Sequence, residues 1–304
     1  MSLYNKFLNE WSEKWFQFIK DNLDKPWNYN YISENPNLTW EIVQANPNKP
    51  WDYHWLSCNP NITWEIVQSN PKEKWSYVGL SKNPNITWKI VQANPDKDWH
   101  YNCLSINPNI TWKIVNANPD KKNFSYYWLG CNPNITWEIV QSNSNKPWNY
   151  DYLSKHKNIT WDIVQANPDK HWNYGWLSQN PNITWEIVQS NPDKRWNYNL
   201  LSQNPNITWE IVQANPNENW NYNYLSMNPN ITWEIVKANP DKPWNYRSLC
   251  ENKMDKPRNE FIRKKFQEWF RRSDLKAELM ANVWHPRNFE KFKYLDPETF
   301  GEDF

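Results

Sequence analysis

Asn61-Ile62-Thr63-Trp64-Glu65-Ile66-Val67-Gln68-Ser69-Asn70, followed by Pro71, carries the signals for both ends of a short helix. Thr63 is a preferred N-cap, and Glu65 puts a carboxylate into the first turn, where the helix dipole favours it. Ile62 before the cap and Val67 at the fourth helical position have the spacing of a hydrophobic staple. Asn70 tolerates a left-handed terminus, and Pro71 disfavours helical geometry at the residue before it. The stretch predicts a helix of about seven or eight residues, two turns at about 3.6 residues each. We call this helix B.

The stretch recurs along the chain. A Thr-Trp pair ends in Trp40, Trp64, Trp88, Trp112, Trp137, Trp161, Trp185, Trp209 and Trp233. Each step is 24 residues except 112 to 137, which is 25. A second ring series, Trp27, Trp51, Trp75, Trp99, Phe124, Trp148, Trp172, Trp196, Trp220 and Trp244, keeps the same register. The additional residue therefore falls in the loop Asp120-Lys121-Lys122-Asn123. Nine full copies occupy residues 27–243, and a tenth is cut short at Trp244 to Cys250.

The other half of the unit, for example Asp193 to Asn204, opens on an acidic cap candidate and ends at Asn204-Pro205. Tyr198 and Leu201 are three apart and Trp196 and Leu200 four apart, so both pairs can meet on a helix, helix A. It is too short to stand alone and apolar over more than half its circumference, so stacked neighbours must cover it. A β-solenoid or leucine-rich horseshoe also suits a 24-residue period, and Trp, Ile, Val and Thr favour strands. Yet Trp64, Ile66 and Val67 do not alternate, and the unit lacks the glycines of tight β-coils. The reading is an all-α solenoid of short α/3₁₀ helix pairs, elongated, with a helical cap at each end.

The stretch N-P-N-I-T-W-E-I-V-Q-A-N-P-D-K-P-W-N-Y-x-x-L-S resembles the tryptophan-rich tandem repeats of giant, mimivirus-like DNA viruses over residues 27–250. Leu279 to Asn288 resembles an ending shared by repeat proteins of those viruses. The resemblance implies no biochemical activity and carries over no functional residues. A looser similarity, of architecture only, is to the leucine-rich variant repeats of bacteria, which alternate α and 3₁₀ helices; here Trp largely replaces their Leu and Val.

Composition narrows the function. The chain has 304 residues, with 34 Lys and Arg against 33 Asp and Glu, so it is no generally basic nucleic-acid binder. A dinucleotide fold or a P-loop enzyme needs glycines at fixed turns, and the 4 glycines present nearly exclude both. No apolar run reaches the roughly 18 residues of a membrane span. Met1 to Lys20 is broken by Lys6, Glu10, Glu13 and Lys14, so it has no signal-peptide core. With separated thiols, this predicts an intracellular protein, in host cytoplasm or virion, that is not secreted.

Candidate chemistry is sparse. Cys58, Cys103, Cys131 and Cys250 form neither a zinc motif nor a disulfide framework. His54 and Cys58, four apart, could be half of a metal site, but Val78 and Lys82 stand at their positions in the next copy. Nine Asn-x-Thr sequences, Asn37-Leu38-Thr39 to Asn230-Ile231-Thr232, would be glycosylation acceptors in a secreted protein. Here they read as a loop asparagine and a helix cap. Carboxylates such as Glu65, Glu138 and Glu186 recur without a base or nucleophile, so no enzyme, cofactor or metal is expected.

The rings could bury a core or stack nucleic-acid bases. Residues 1–250 carry 22 basic and 22 acidic side chains, which leaves no net attraction for phosphates and favours burial. A buried Trp removes ~200 Å² from water, worth at most about 5 kcal/mol.

Where copies differ is more informative. Counting from the first ring, position 4 reads Asn30, His54, Val78, Asn102, Tyr127, Asp151, Gly175, Asn199 and Asn223. Position 8 reads Glu34, Cys58, Lys82, Ile106, Cys131, Lys155, Gln179, Gln203 and Met227. Four apart, the two share a face of helix A and lie outside the core, as a recognition surface or as unconstrained solvent-facing positions.

The ends differ from the repeats. Residues 1–26 hold an amphipathic helix with Tyr4, Phe7, Leu8, Trp11, Trp15, Phe18 and Ile19 at helical spacing. Residues 27–250 are the repeats, and 251–304 a C-terminal helical cap with an acidic tail. In that cap Phe261, Ile262, Phe266, Trp269 and Phe270 mark one helix. Ser273-Asp274 caps a second with Leu275, Leu279 and Val283, and a third follows His285-Pro286. Arg263, Lys264, Lys265, Arg271 and Arg272 form a basic patch, readable as the solvated side of a cap or as an anionic or partner surface. The reading is a non-enzymatic scaffold binding a protein partner of unknown identity. The alternatives are a nucleic-acid-binding solenoid using exposed rings and the basic helix, and a structural virion component. Partner identity and oligomeric state are not legible in the sequence.

Overall fold

In a computed structural model of the protein, which describes residues 2–118 and 124–272, every regular element is an α-helix. The loop 120–123, the side chain of Arg272, and the second and third C-terminal helices with the acidic tail lie outside the described residues. Among the described residues two compact units are present, Phe18–Lys253 and residues 2–17 with 254–272.

In the repeat unit, helix B runs six residues per copy, Trp64–Ser69 in the second. Thr63 caps it as read, accepting from the Ile66 amide. The far end is different: Asn70 has φ −125° and ψ 60°, not a left-handed conformation. Its Nδ2 turns back to donate to the Ile66 carbonyl at 2.8 Å, which satisfies one of the orphan acceptors of the last turn. The Asn70 carbonyl then accepts the indole N–H of Trp75 at 2.9 Å, so this asparagine ties helix B to the next copy.

Helix A is shorter than the sequence suggested, four to six residues beginning at position 3. In copy eight it is Tyr198–Ser202, capped by Asn197 and not by Asp193, which ion-pairs with Lys194 instead. Trp196 therefore precedes the helix, and its expected pairing with Leu200 along a helix does not form. The ring packs against Tyr174 of the previous copy and Trp161 of the copy before that, at 5.6 and 5.8 Å between centroids.

The joint between copies is a ladder of buried polar groups. Asn59 is fully buried, and its Nδ2 donates to the carbonyls of Ser33, Asn35 and Leu38 of the copy before. Its Oδ1 accepts the amide of Asn61, whose own Nδ2 reaches the Pro36 and Leu38 carbonyls. Ser33 donates to the Tyr29 carbonyl and accepts the Asp52 amide of the next copy. The Asn-x-Thr pattern is thereby accounted for: its asparagine joins copies and its threonine caps helix B. Leu and Ile at fixed positions (Leu56, Ile62, Leu80, Ile86) fill the space behind the ladder with 1 % exposure or less.

The A helices of copies one to five, of six and seven, and of eight and nine pack closely on one another, which sets the B helices on the outside of a curve. The curve closes. Asn35 of copy one donates to the carbonyls of Cys250 and Asn252, and Asn37 to that of Lys253. The Asn28 amide meets Cys250 Sγ, the counterpart of the serine bond elsewhere, and Trp27 packs on Tyr246 at 5.7 Å. The truncated copy is completed from the other end of the chain. Asn22 Nδ2 bonds the Phe18 carbonyl and Trp27 Nε1 the Asn22 carbonyl, as at the end of each helix B except that of copy four, where Phe124 has no ring N–H to donate. The repeat unit is a closed circle of ten copies, the tenth split between the two ends of the array, and not the elongated array expected.

The terminal segments are helical as expected, Leu3–Asp21 and Asp255–Arg272. Within the smaller unit they pair with each other: Phe7 meets Phe266 edge to face at 5.0 Å, and Lys265 bonds Glu10.

Most of the Thr-Trp series is core. Trp137 and Trp185 are each 7 % exposed, whereas Trp161 keeps part of its ring in solvent, facing a surface pocket shared with Lys170, Trp172 and Lys194. Trp185→Ala should cost about 3–5 kcal/mol, and Trp161→Ala only about 2–3 because less ring area returns to water. Urea denaturation of the two variants checks this; equal losses would mean that the open pocket does not matter.

Candidate functional site

The constant residues hold the circle together, so a functional site is sought among the variable ones. Position 4 stands at the first turn of helix A and is exposed in every full copy except at Gly175, where the glycine itself is partly covered. Its side chain often links to the N-cap of the next copy. Asp151 accepts from Asn173, Asn199 from Asn221, and Asn223 from Asn245, while His54 Nδ1 faces Ser76 Oγ at 2.9 Å. Asn30, Asn102, Val78 and Tyr127 complete this exposed row, the last two being large apolar side chains at 38 % and 48 % exposure.

Position 8 is at the other end of helix A. Glu34, Ile106, Cys131, Lys155, Gln179, Gln203 and Met227 are partly buried, Lys82 is exposed, and Cys58 is buried. Gln179 and Gln203 bond each other at 3.1 Å. Closure of the circle brings distant members of this row together. A chamber of about 470 Å³ is lined by Tyr31, Glu34, Cys58, Gln203, Glu251 and Lys253, with Asn35 and the turn prolines Pro36, Pro60 and Pro84. These residues come from copies one, two, three, eight and ten, which an open array would hold far apart.

The chamber has no strong charge preference. Burial pushes the Glu34 carboxyl upward, opposed by the nearby charges of Lys82, Lys253 and His54. Burial likewise raises Glu251, with Glu34 adding to the effect and a Tyr31 hydrogen bond opposing it. Desolvation lifts the Cys58 thiol to about 12 and Cys250 to about 11, and raises Cys103 and Cys131. Thiols held protonated in this way are poor nucleophiles. His54 and Cys58 do not share a ligand, since Cys58 Sγ points at the His54 carbonyl, and no group of three metal-ligating side chains occurs among the described residues. The arrangement is suited to holding a molecule by shape and hydrogen bonds.

A third variable row belongs to the site and was missed in the sequence. Position 5 reads Tyr31, Trp55, Gly79, Cys103, Trp128, Tyr152, Trp176, Leu200 and Tyr224. Comparing all positions of the unit column by column would have found it. Its rings meet across joints: Tyr31 and Trp55 at 5.9 Å, and Trp128 stacked on Tyr152 at 5.4 Å. Gly79 is required for close approach, because a Cβ there would meet the His54 carbonyl at 2.6 Å.

Lys155 lies in this row's path, its Nζ 4.9 Å from the Tyr152 ring and 4.8 Å from Trp176. A lysine between two rings is more than a freely solvated side chain. Lys155→Ala should therefore destabilise by about 1 kcal/mol, the scale of a partly shielded cation–π contact. A loss below about 0.3 kcal/mol in chemical denaturation would show that the rings do not hold the ammonium.

The basic patch belongs to the smaller unit. Arg263 and Arg271 are exposed, Lys264 pairs with Glu260, and Lys265 pairs with Glu10 and covers Phe261. Among the described side chains of the patch, Lys264 and Lys265 thus have acidic partners. No described helix is long and apolar enough to cross a membrane. The architecture defines the class, a closed circle of paired-helix repeats. Comparison of the chain with protein families, curated proteins and solved structures finds no match.

Proposed function

We propose that the protein is a non-enzymatic binding scaffold whose recognition surface is the variable face of its A helices, positions 4, 5 and 8, and whose partner is a protein. One observation carries this reading: residues that vary between copies are gathered along one face of a framework whose joints barely vary. A mixture of rings, amides and single charges suits a protein surface better than a polyanion. Glu34, Asp151 and Glu251 are balanced along the same face by Lys82, Lys155 and Arg247, which leaves no net attraction for phosphates, so a nucleic-acid reading is less well supported. The resemblance of the repeats to those of giant viruses is what supports reading such a scaffold as acting in a virus-infected cell or in the particle.

The test is affinity purification from infected cells with and without nuclease, washed at low and high salt. A protein recovered equally in all arms supports the reading. Recovery that vanishes with nuclease and falls steeply with salt would make the ligand a nucleic acid.

A further inference from the structure

Nine of the ten ladder positions hold asparagine; copy six holds His156. An asparagine such as Asn180 donates to three carbonyls of the preceding copy, those of Ser154, His156 and Ile159. His156 reaches one, its Nε2 lying 2.8 Å from the Asn132 carbonyl, while Nδ1 accepts the Asn158 amide at 3.1 Å. These two contacts require a neutral ring with the proton on Nε2. The same joint lacks a second link. Copy five has Gly130 where the other copies have serine or Cys250, so no side chain is there to receive the Asn149 amide as Ser33 receives Asp52.

We propose that His156 makes the joint between copies five and six an acid-sensitive hinge, at which protonation of the imidazole opens the circle while the closure between copies ten and one holds. A proton on Nδ1 would set two donors, ring N–H and Asn158 N–H, against each other. It would also place a charge where the side chain is only 6 % exposed. The surroundings offer that charge only the Asn132 carbonyl, whose hydrogen bond favours it less than burial opposes it. From copy five the ring faces the Asn132 carbonyl, beside Cys131 and Pro133; from copy seven Asn180 and Asn182 bind the His156 and Lys157 carbonyls. Of the charged groups, Lys155 is engaged with two rings, and Lys157 acts on the imidazole in the same direction as burial, against protonation. No carboxylate contributes.

The sign follows from linkage. A histidine held neutral in place but protonated when released stabilises the joint above its released value, 6.5, and loses that contribution progressively below it. This does not depend on what the circle binds. The full-length protein and its His156→Asn variant are compared by hydrogen exchange at pH 7.5 and 5.0, corrected for intrinsic exchange rates. The variant restores the residue of the other copies, and the Asn252-Lys253 sequence shows that the ladder accepts asparagine without a following proline. In the native protein, protection in residues 148–161 should fall at pH 5.0 by several-fold, up to about thirtyfold, the limit for a ring that stays neutral while in place. Protection near Asn35 and Asn252 should hold, and His156→Asn should remove the fall. Unchanged protection in the native protein, an equal fall in the variant, or a loss spread evenly round the circle would each overturn the proposal.

Discussion

Asn107→Asp should cost more than about 4 kcal/mol at pH 7, among the largest penalties available to a one-atom change in this chain. Asn107 Nδ2 donates to the carbonyls of Ser81, Asn83 and Ile86 at 3.0, 3.0 and 3.2 Å, and Oδ1 accepts the Asn109 amide. Aspartate keeps the last bond but turns a carboxylate oxygen toward three carbonyl oxygens in a fully buried site. The carboxyl can stay folded only by taking up a proton, so its folded pKa rises above the usual value of about 3.9. The variant's stability deficit should then be largest at neutral pH and shrink as pH falls toward about 4, where the released carboxyl also protonates. Urea denaturation at pH 7 and pH 5 reads both effects. A loss below about 1 kcal/mol, or no recovery on acidification, would mean that the amide ladder is not what joins the copies.

Asn35→Ala should be about as damaging as Asn107→Ala, roughly 2–3 kcal/mol each, from unsatisfied buried carbonyls and the lost amide bonds. The comparison tests closure directly. In an open array the first copy has nothing before it, and Asn35 would be a surface residue whose loss costs under about 0.5 kcal/mol. In the closed circle its Nδ2 reaches Cys250 and Asn252, 215 and 217 residues away. A small effect at Asn35 beside a large one at Asn107 would show that the circle is open in solution.

The helical repeat, its register and the Thr caps were legible because each rests on local chemistry repeated nine times. Thr63, Glu65 and Val67 need only their own turn to be interpreted. The circle was not legible, because closure depends on a small rotation between copies that no single unit encodes. Its trace in the sequence is the truncation at Cys250 together with Asn22, five residues before Trp27 as Asn46 is before Trp51; pairing the two ends required knowing the curvature. The asparagine ladder was hidden for another reason. Asn-Pro reads first as a helix breaker, and nothing in spacing distinguishes a solvated turn asparagine from one whose amide is spent on the next copy. For the candidate site, rows 4 and 8 were found by their variation, but the chamber was not, since it exists only where copy eight faces copies one and two.

The ladder also bears on how the molecule ages. Asparagine side chains decay when the amide nitrogen of the following residue attacks the side-chain carbonyl, closes a succinimide and expels ammonia, leaving a mixture of aspartate and isoaspartate. Proline has no such nitrogen to offer. Eight of the nine ladder asparagines, from Asn35 to Asn228, stand directly before a proline, so the residues least able to tolerate a carboxylate are denied the usual route to one. The exception is Asn252, followed by Lys253, at the end that closes the circle. Among the ladder residues, chemical wear should begin there.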